Sequence, residues 1–226
     1  MASSKTVPGT ARATRAQAAG APAKPSRREE IVQIAGKLFA ERGFLGTTIR
    51  DIADAADILS GSLYHHFASK ETIADEILSG YWTELTARYD AVVTAGTDPA
   101  QTVRNLIKES VSLLDPFANA IRLMLNDWSY LATALPYIDE NLRRIQGTWT
   151  DVIRAGMNSG QFDDSLDPVL AYRTIMSSIT GTGRWYRPGG PLTTEVLAEE
   201  MTKVFLAGLT ARPAKAVKTV KATKRR

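Results

Sequence analysis

Between Ile31 and Leu209 the apolar residues recur at helical spacing, with almost no strict alternation, so this chain can fold only as helices packed on helices. Ile31, Ile34, Ala35, Leu38 and Phe39 keep the period, and Gly43 supplies a stop. Thr48-Ile49-Arg50-Asp51 reads as a capping box that starts a short helix with Ile49, Ile52 and Ala53 on its apolar side. Ser60 reads as the N-cap of a third helix that buries Leu63 and Phe67. Ser69 caps a longer one whose stripe is Ile73, Ile77, Tyr81, Leu85, Tyr89 and Val92. In the second half, Asp98-Pro99, Asp115-Pro116 and Asp167-Pro168 each place an N-cap carboxylate before a proline, which at the first helical position loses no needed hydrogen bond. Further stripes run through Leu142, Ile145, Trp149, Val152 and Ile153, through Leu170, Ile175, Met176 and Ile179, and through Leu197, Met201, Val204, Phe205 and Leu209. The expected fold is all-α, with about nine helices and no internal repeat.

Composition narrows the class. In 226 residues no uncharged apolar run approaches the ~18 needed to span a bilayer, and the start has no apolar signal core, so an integral membrane or secreted protein is not expected. Cysteine is absent, which removes disulfides, thiolate nucleophiles and Cys-ligated metals and fits a cytoplasmic protein. The net charge of +4 is unevenly spread. Residues 1–25 and 211–226 read as disordered basic tails, the second with seven basic side chains and no acid. Residues 31–210 hold 15 basic and 22 acidic groups, so the folded body is acidic and bulk charge does not mark it as a nucleic-acid binder. The tail from Pro213 onward suits either plain solvation or non-specific attraction to polyanions.

The informative stretch runs from Thr47 to Lys70. Two short helices joined by a tight turn at Ala56-Asp57-Ile58-Leu59 make a helix-turn-helix, whose second helix enters a DNA major groove. That helix opens Ser60-Gly61-Ser62, with little bulk to block close approach, and its end N–H groups suit a phosphate. With Leu63 and Phe67 turned inward, Tyr64 and His65 lie on the exposed side and His66 nearer its edge. Lys70 can reach a backbone phosphate as a point charge, and Arg50 a base edge or phosphate. His65 and His66 point about 100° apart on a helix and lack a carboxylate cluster, so a metal site is not expected there.

These residues resemble the TetR family of bacterial transcriptional repressors. The resemblance is carried by Thr47-Thr48-Ile49-Arg50-Asp51-Ile52-Ala53 and by Ser60-Gly61-Ser62-Leu63-Tyr64-His65-His66-Phe67-Ala68-Ser69-Lys70-Glu71, and covers about 27–75. It implies that Tyr64 and Lys70 bind phosphates, and that Arg50, Ser62, His65 and His66 face bases or backbone, with Thr48, Ser60 and Gly61 beside them. Asp57 departs from the family, which has Gly in the turn; Asp tolerates the left-handed conformation, so the turn is expected to survive. Arg184-Trp185-Tyr186-Arg187-Pro188-Gly189-Gly190-Pro191-Leu192-Thr193 is further similar to actinobacterial TetR-type regulators of late steroid-ring (cholesterol) catabolism, which implies an acyl-CoA-type effector. The middle, roughly 95–165, does not follow them.

Arg184 and Arg187 flanking Trp185 suit phosphate and adenine contacts, and equally suit stacking that only stiffens a Pro-Gly-Gly loop. Trp82, Met124, Trp128 and Trp149 are expected to line an apolar cavity. An enzyme is not expected: there is no GxGxxG, no GxxxxGK[ST], and no convergence of acid–base residues. The reading is a ligand-responsive repressor without cofactor, with 26–75 as the DNA-binding domain and 76–210 as the effector and dimer body. It binds a palindromic DNA operator as a homodimer, with helices at 168–183 and 194–210 pairing across the two-fold axis, and Gly181 and Gly183 allowing close approach there. The alternative is a DNA-binding regulator with no small effector or a different hydrophobic one.

Overall fold

Residues 25–210 are described by a computed structural model; apart from Pro25, the two basic tails expected from the sequence lie outside the described residues. Among these residues there are nine α-helices and no strand. A head comprises α1 (Arg27–Arg42), α2 (Ile49–Ala55) and α3 (Ser60–His66), and α4 (Lys70–Thr94) runs from it into the body. The body is completed by α5 (Pro99–Ser112), α6 (Ala118–Ala134), α7 (Tyr137–Asn158), α8 (Pro168–Gly181) with a 3-10 turn at Thr182–Arg184, and α9 (Thr194–Leu209). The expected division at 75/76 falls inside α4, an unbroken helix of 25 residues and about 37 Å.

Most helix starts follow the local chemistry. Thr48 and Asp51 satisfy each other's backbone N–H groups at the start of α2, and Ser69 and Thr72 do the same for α4. Asp98 and Asp167 cap α5 and α8 ahead of their prolines. Two expected caps are corrected. Ser60 is the first residue of α3 and not its cap; Leu59 holds that position and makes no side-chain bond, which forgoes about 1 kcal/mol. Asp115 does not start a helix: α6 begins at Ala118, and the Asp115 carboxylate instead accepts from the Tyr186 hydroxyl at 2.9 Å. Asp57 takes φ +53, the one non-glycine residue with positive φ among those described, so the turn survives as expected.

One continuous core runs from Ile31, Phe39, Ile52, Leu63 and Phe67 in the head to Leu106, Ile107, Trp149 and Ile153 in the body. Gly183, half-buried, packs against it. A methyl there would lie 2.8 Å from Ile121 Cγ2 and 3.1 Å from Leu125 Cδ1, so within its own chain its close approach is to α6. Gly181 faces open space.

Candidate DNA-reading head and effector pocket

The α3 surface is built as the sequence suggests. Leu63 and Phe67 are buried, Gly61, Tyr64 and His65 are exposed, and Ser60, Ser62 and His66 are half-buried. Thr48 is exposed at the start of α2, its hydroxyl held on Asp51. Those bonds from the Thr48 hydroxyl and backbone hold the Asp51 carboxyl below the usual range. Arg50 extends into solvent with only a loose 3.7 Å pairing to Asp54, so its guanidinium is available to an outside partner. Lys70 is anchored within the head. Its Nζ donates to the Phe44 and Thr47 carbonyls, both at 2.7 Å, and lies 4.3 Å from the Phe44 ring centre. Two of its three donors therefore fasten the α1–α2 loop to the start of α4.

An apolar cavity of about 330 Å³ opens in the body between α4, α6, α7 and α8. Trp82, Met124 and Trp128 line it as expected, with Tyr81, Leu85, Ile121, Leu125, Leu142, Ile145, Tyr172 and Met176. Trp149 does not. It is fully buried on α7, and its indole N–H donates to the Tyr89 hydroxyl at 3.0 Å, so this tryptophan is core and the expectation for it is corrected. Arg173, Ser177 and Thr180 of α8 complete the lining, so the cavity suits a mainly apolar group.

Beside this cavity lies a polar recess of about 510 Å³, lined by Ala40 of α1, Arg122, Leu125 and Asn126 of α6, and Gly183, Arg184 and Arg187. Leu125 belongs to both walls. None of the three arginines forms an ion pair among the described residues. Three uncompensated guanidinium groups on one concavity suit an anion with several oxygens. Trp185 is exposed and lines neither space, which corrects its expected place in the pocket. Neither arginine stacks on it; the two cation–π contacts among the described residues are Arg28 on Phe67 and Lys70 on Phe44. Arg187 turns one N–H toward the Tyr186 carbonyl at 3.3 Å.

The cavity wall and the head meet where α6 packs on α1 and at the loop after α1. Within α6, Asp127 leaves helical geometry (φ −125, ψ 26) and its carboxylate accepts from the Phe44 N–H at 2.7 Å. Tyr130 stacks on the Phe44 ring at 5.2 Å and donates to Glu71 at 2.9 Å. Met124, Leu125 and Trp128, immediately around the kink, line the cavity. α6 thus touches both the cavity and Phe44, whose carbonyl is one of the two that hold Lys70.

Comparison with known proteins decides the family. A family model described as "Bacterial regulatory proteins, tetR family" matches residues 31–77, and one described as "Tetracyclin repressor-like, C-terminal domain" matches 96–209. The HTH-type transcriptional repressor KstR2 of Rhodococcus jostii is 39% identical over 188 residues, covering 82% of this chain and 92% of that protein, so the match runs through 95–165 and corrects the expectation that this middle departs from such regulators. The chain belongs to the TetR family. The solved structure of the ketosteroid transcriptional regulator KstR2 of Mycobacterium tuberculosis superposes with a TM-score of 0.79 at 39% identity, covering 83% of this chain and 96% of that one. The AibR structure shares the fold at 20% identity, with a TM-score of 0.69 and coverage of 79% and 97%. These relatives are transcriptional regulators, and this TetR chain is a DNA-binding regulator of the same build. No helix of its described residues is long and apolar enough to cross a membrane.

Sequence reasoning missed several residues of this TetR head and body. Arg27 donates to the Ala56 carbonyl at the end of α2. Arg28 donates to the His66 carbonyl at the end of α3, pairs with Glu76 at 2.6 Å and lies over the Phe67 ring at 4.0 Å. The only signal was two arginines opening α1. Arg122 was missed because it stands alone in an apolar run, Ala120-Ile121-Arg122-Leu123-Met124, where a lone cation reads as surface. Asp127 carried no signal either, since its partner is 83 residues away.

Proposed function

We propose that this regulator is a repressor released from its operator by an acyl-CoA thioester, the apolar acyl or ring portion filling the cavity and the phosphates meeting Arg122, Arg184 and Arg187. One observation carries this reading: an apolar cavity and a three-arginine recess share the Leu125 wall, which is the arrangement an apolar group tied to a polyanion requires. Residues 27–75 read DNA through Thr48, Arg50, Ser60, Gly61, Ser62, Tyr64, His65 and His66, in the compartment that holds the operator. Residues 76–210 hold the effector and pair two copies through α8 and α9. Two relatives' names support the effector class: KstR2 is called a ketosteroid regulator, and the AibR structure is of a complex with isovaleryl coenzyme A and operator DNA. Filling the cavity moves α6 and α4, the two helices that reach Phe44 and Lys70, and the head follows. Binding must favour the DNA-incompetent arrangement, typically by ~1–3 kcal/mol and by ~5.5 kcal/mol for a near-complete switch.

The test titrates acyl-CoAs, steroid-derived ones included, and their free acids into the protein–operator complex while following DNA release. The ester should release DNA at concentrations about 10–100-fold below the acid, since each charge-assisted hydrogen bond is worth about 1.5–3 kcal/mol. Arg122→Ala should erase most of that difference. Equal release by the acid overturns the reading.

A further inference from the structure

The turn into α3 holds a residue that the fold does not explain. Leu59 occupies the N-cap position with extended backbone (φ −69, ψ 143); its carbonyl accepts from the Ser62 and Leu63 N–H groups, but its side chain caps none of the end N–H groups of the helix. Ser, Thr, Asp or Asn serves there, and a serine stands one residue too late to act. Leu59 is also 79% exposed, the most exposed of the large apolar side chains among the described residues. A scattered surface leucine needs no explanation by itself. Here the residue forgoes both burial and a cap at the same position, and such local inconsistencies collect at functional sites.

The surroundings indicate what the side chain can meet. Ile58 packs against the core, so it does not shield Leu59. Asp57 and Gly61 are exposed on either side, and a methyl placed on Gly61 would touch nothing, so this end of α3 is open to an approaching surface. The leading end of the second helix of a helix-turn-helix is the part that contacts base edges in the major groove. Leucine can neither donate nor accept there, and the one apolar group that bases display in that groove is the thymine 5-methyl.

We propose that Leu59 is a specificity-determining residue that reads a thymine in each operator half-site through its methyl group. The proposal rests on DNA binding and is independent of the effector. The test uses the full chain and duplexes enriched by it from a random-sequence pool, with each thymine replaced in turn by deoxyuridine, which deletes the methyl alone. For the unaltered protein one position per half-site should weaken binding about fourfold, the weight of a single buried methyl-sized group. Leu59→Ala should bind thymine and deoxyuridine duplexes alike at that position. Leu59→Ser should lose the same discrimination while its melting temperature rises, because it gains the missing cap. No thymine-dependent position in the unaltered protein, or a dependence that both variants retain, overturns the proposal.

Discussion

The Lys70 ammonium is fixed between two carbonyls of the α1–α2 loop, so replacing it acts first on the head itself. Lys70→Met keeps the stem and removes the charge-assisted bonds, at a net cost of about 2 kcal/mol. In a chain of this size that lowers the melting temperature by about 4–8 °C. Operator affinity should fall alike for all sequences, with the salt dependence of binding unchanged. A slope reduced by about one contact per subunit at an unaltered melting temperature would return Lys70 to the phosphate role that the family resemblance implies. Asp57 is the opposite case: the family resemblance places a glycine turn there, and Asp tolerates the same left-handed backbone. The tryptophans show the limit of such reading. Trp82 and Trp149 both sit on helical apolar stripes, and only packing decides that one faces the cavity while the other donates to Tyr89 inside the core.

At the level of elements, α6 carries the connection between pocket and head. The kink at Asp127 frees a carboxylate for the Phe44 N–H, and the residues on either side line the cavity. Asp127→Ala leaves that buried-side N–H without its acceptor and unties α6 from the loop, a cost of about 1–3 kcal/mol. Effector affinity measured without DNA should stay within a few fold of the unaltered protein. The ratio of effector affinities with and without operator DNA should approach one, since that ratio is the coupling itself. An unchanged ratio would place the transmission in α4 or in the packing of α1 on α6. Helix number, order and most caps were legible because they follow from short-range chemistry: period, proline position and the hydroxyl or carboxylate just before each start. Asp115 shows where that stops. It stands before a proline as Asp98 and Asp167 do, but the chain brings the Tyr186 hydroxyl to it from 71 residues away, and that partner replaces the capping role. Arg122, likewise, becomes part of a site only when the turn after α8 sets Arg184 and Arg187 beside it.

For the whole molecule, the pairing of two copies is proposed to run through α8 and α9. Leu170, Val196 and Val204 are large apolar side chains left 60%, 49% and 68% exposed on these helices. Val204→Asp places a charge on that face, and a charge desolvated without a partner is costly. Sedimentation at micromolar concentration should show the monomer, and affinity for a palindromic operator should fall by more than tenfold because only one half-site is engaged at a time. A dimer that persists with full affinity would move the interface elsewhere. Gly183 carries a consequence of another kind. Its missing side chain makes room for Ile121 and Leu125, both of which line the cavity, yet it touches no residue of the reading helix. A one-codon change to alanine would press on the wall shared by cavity and recess and resize the ligand space, leaving every base-contacting side chain as it was. Descendants of this chain can therefore acquire a new inducer while keeping their old set of promoters.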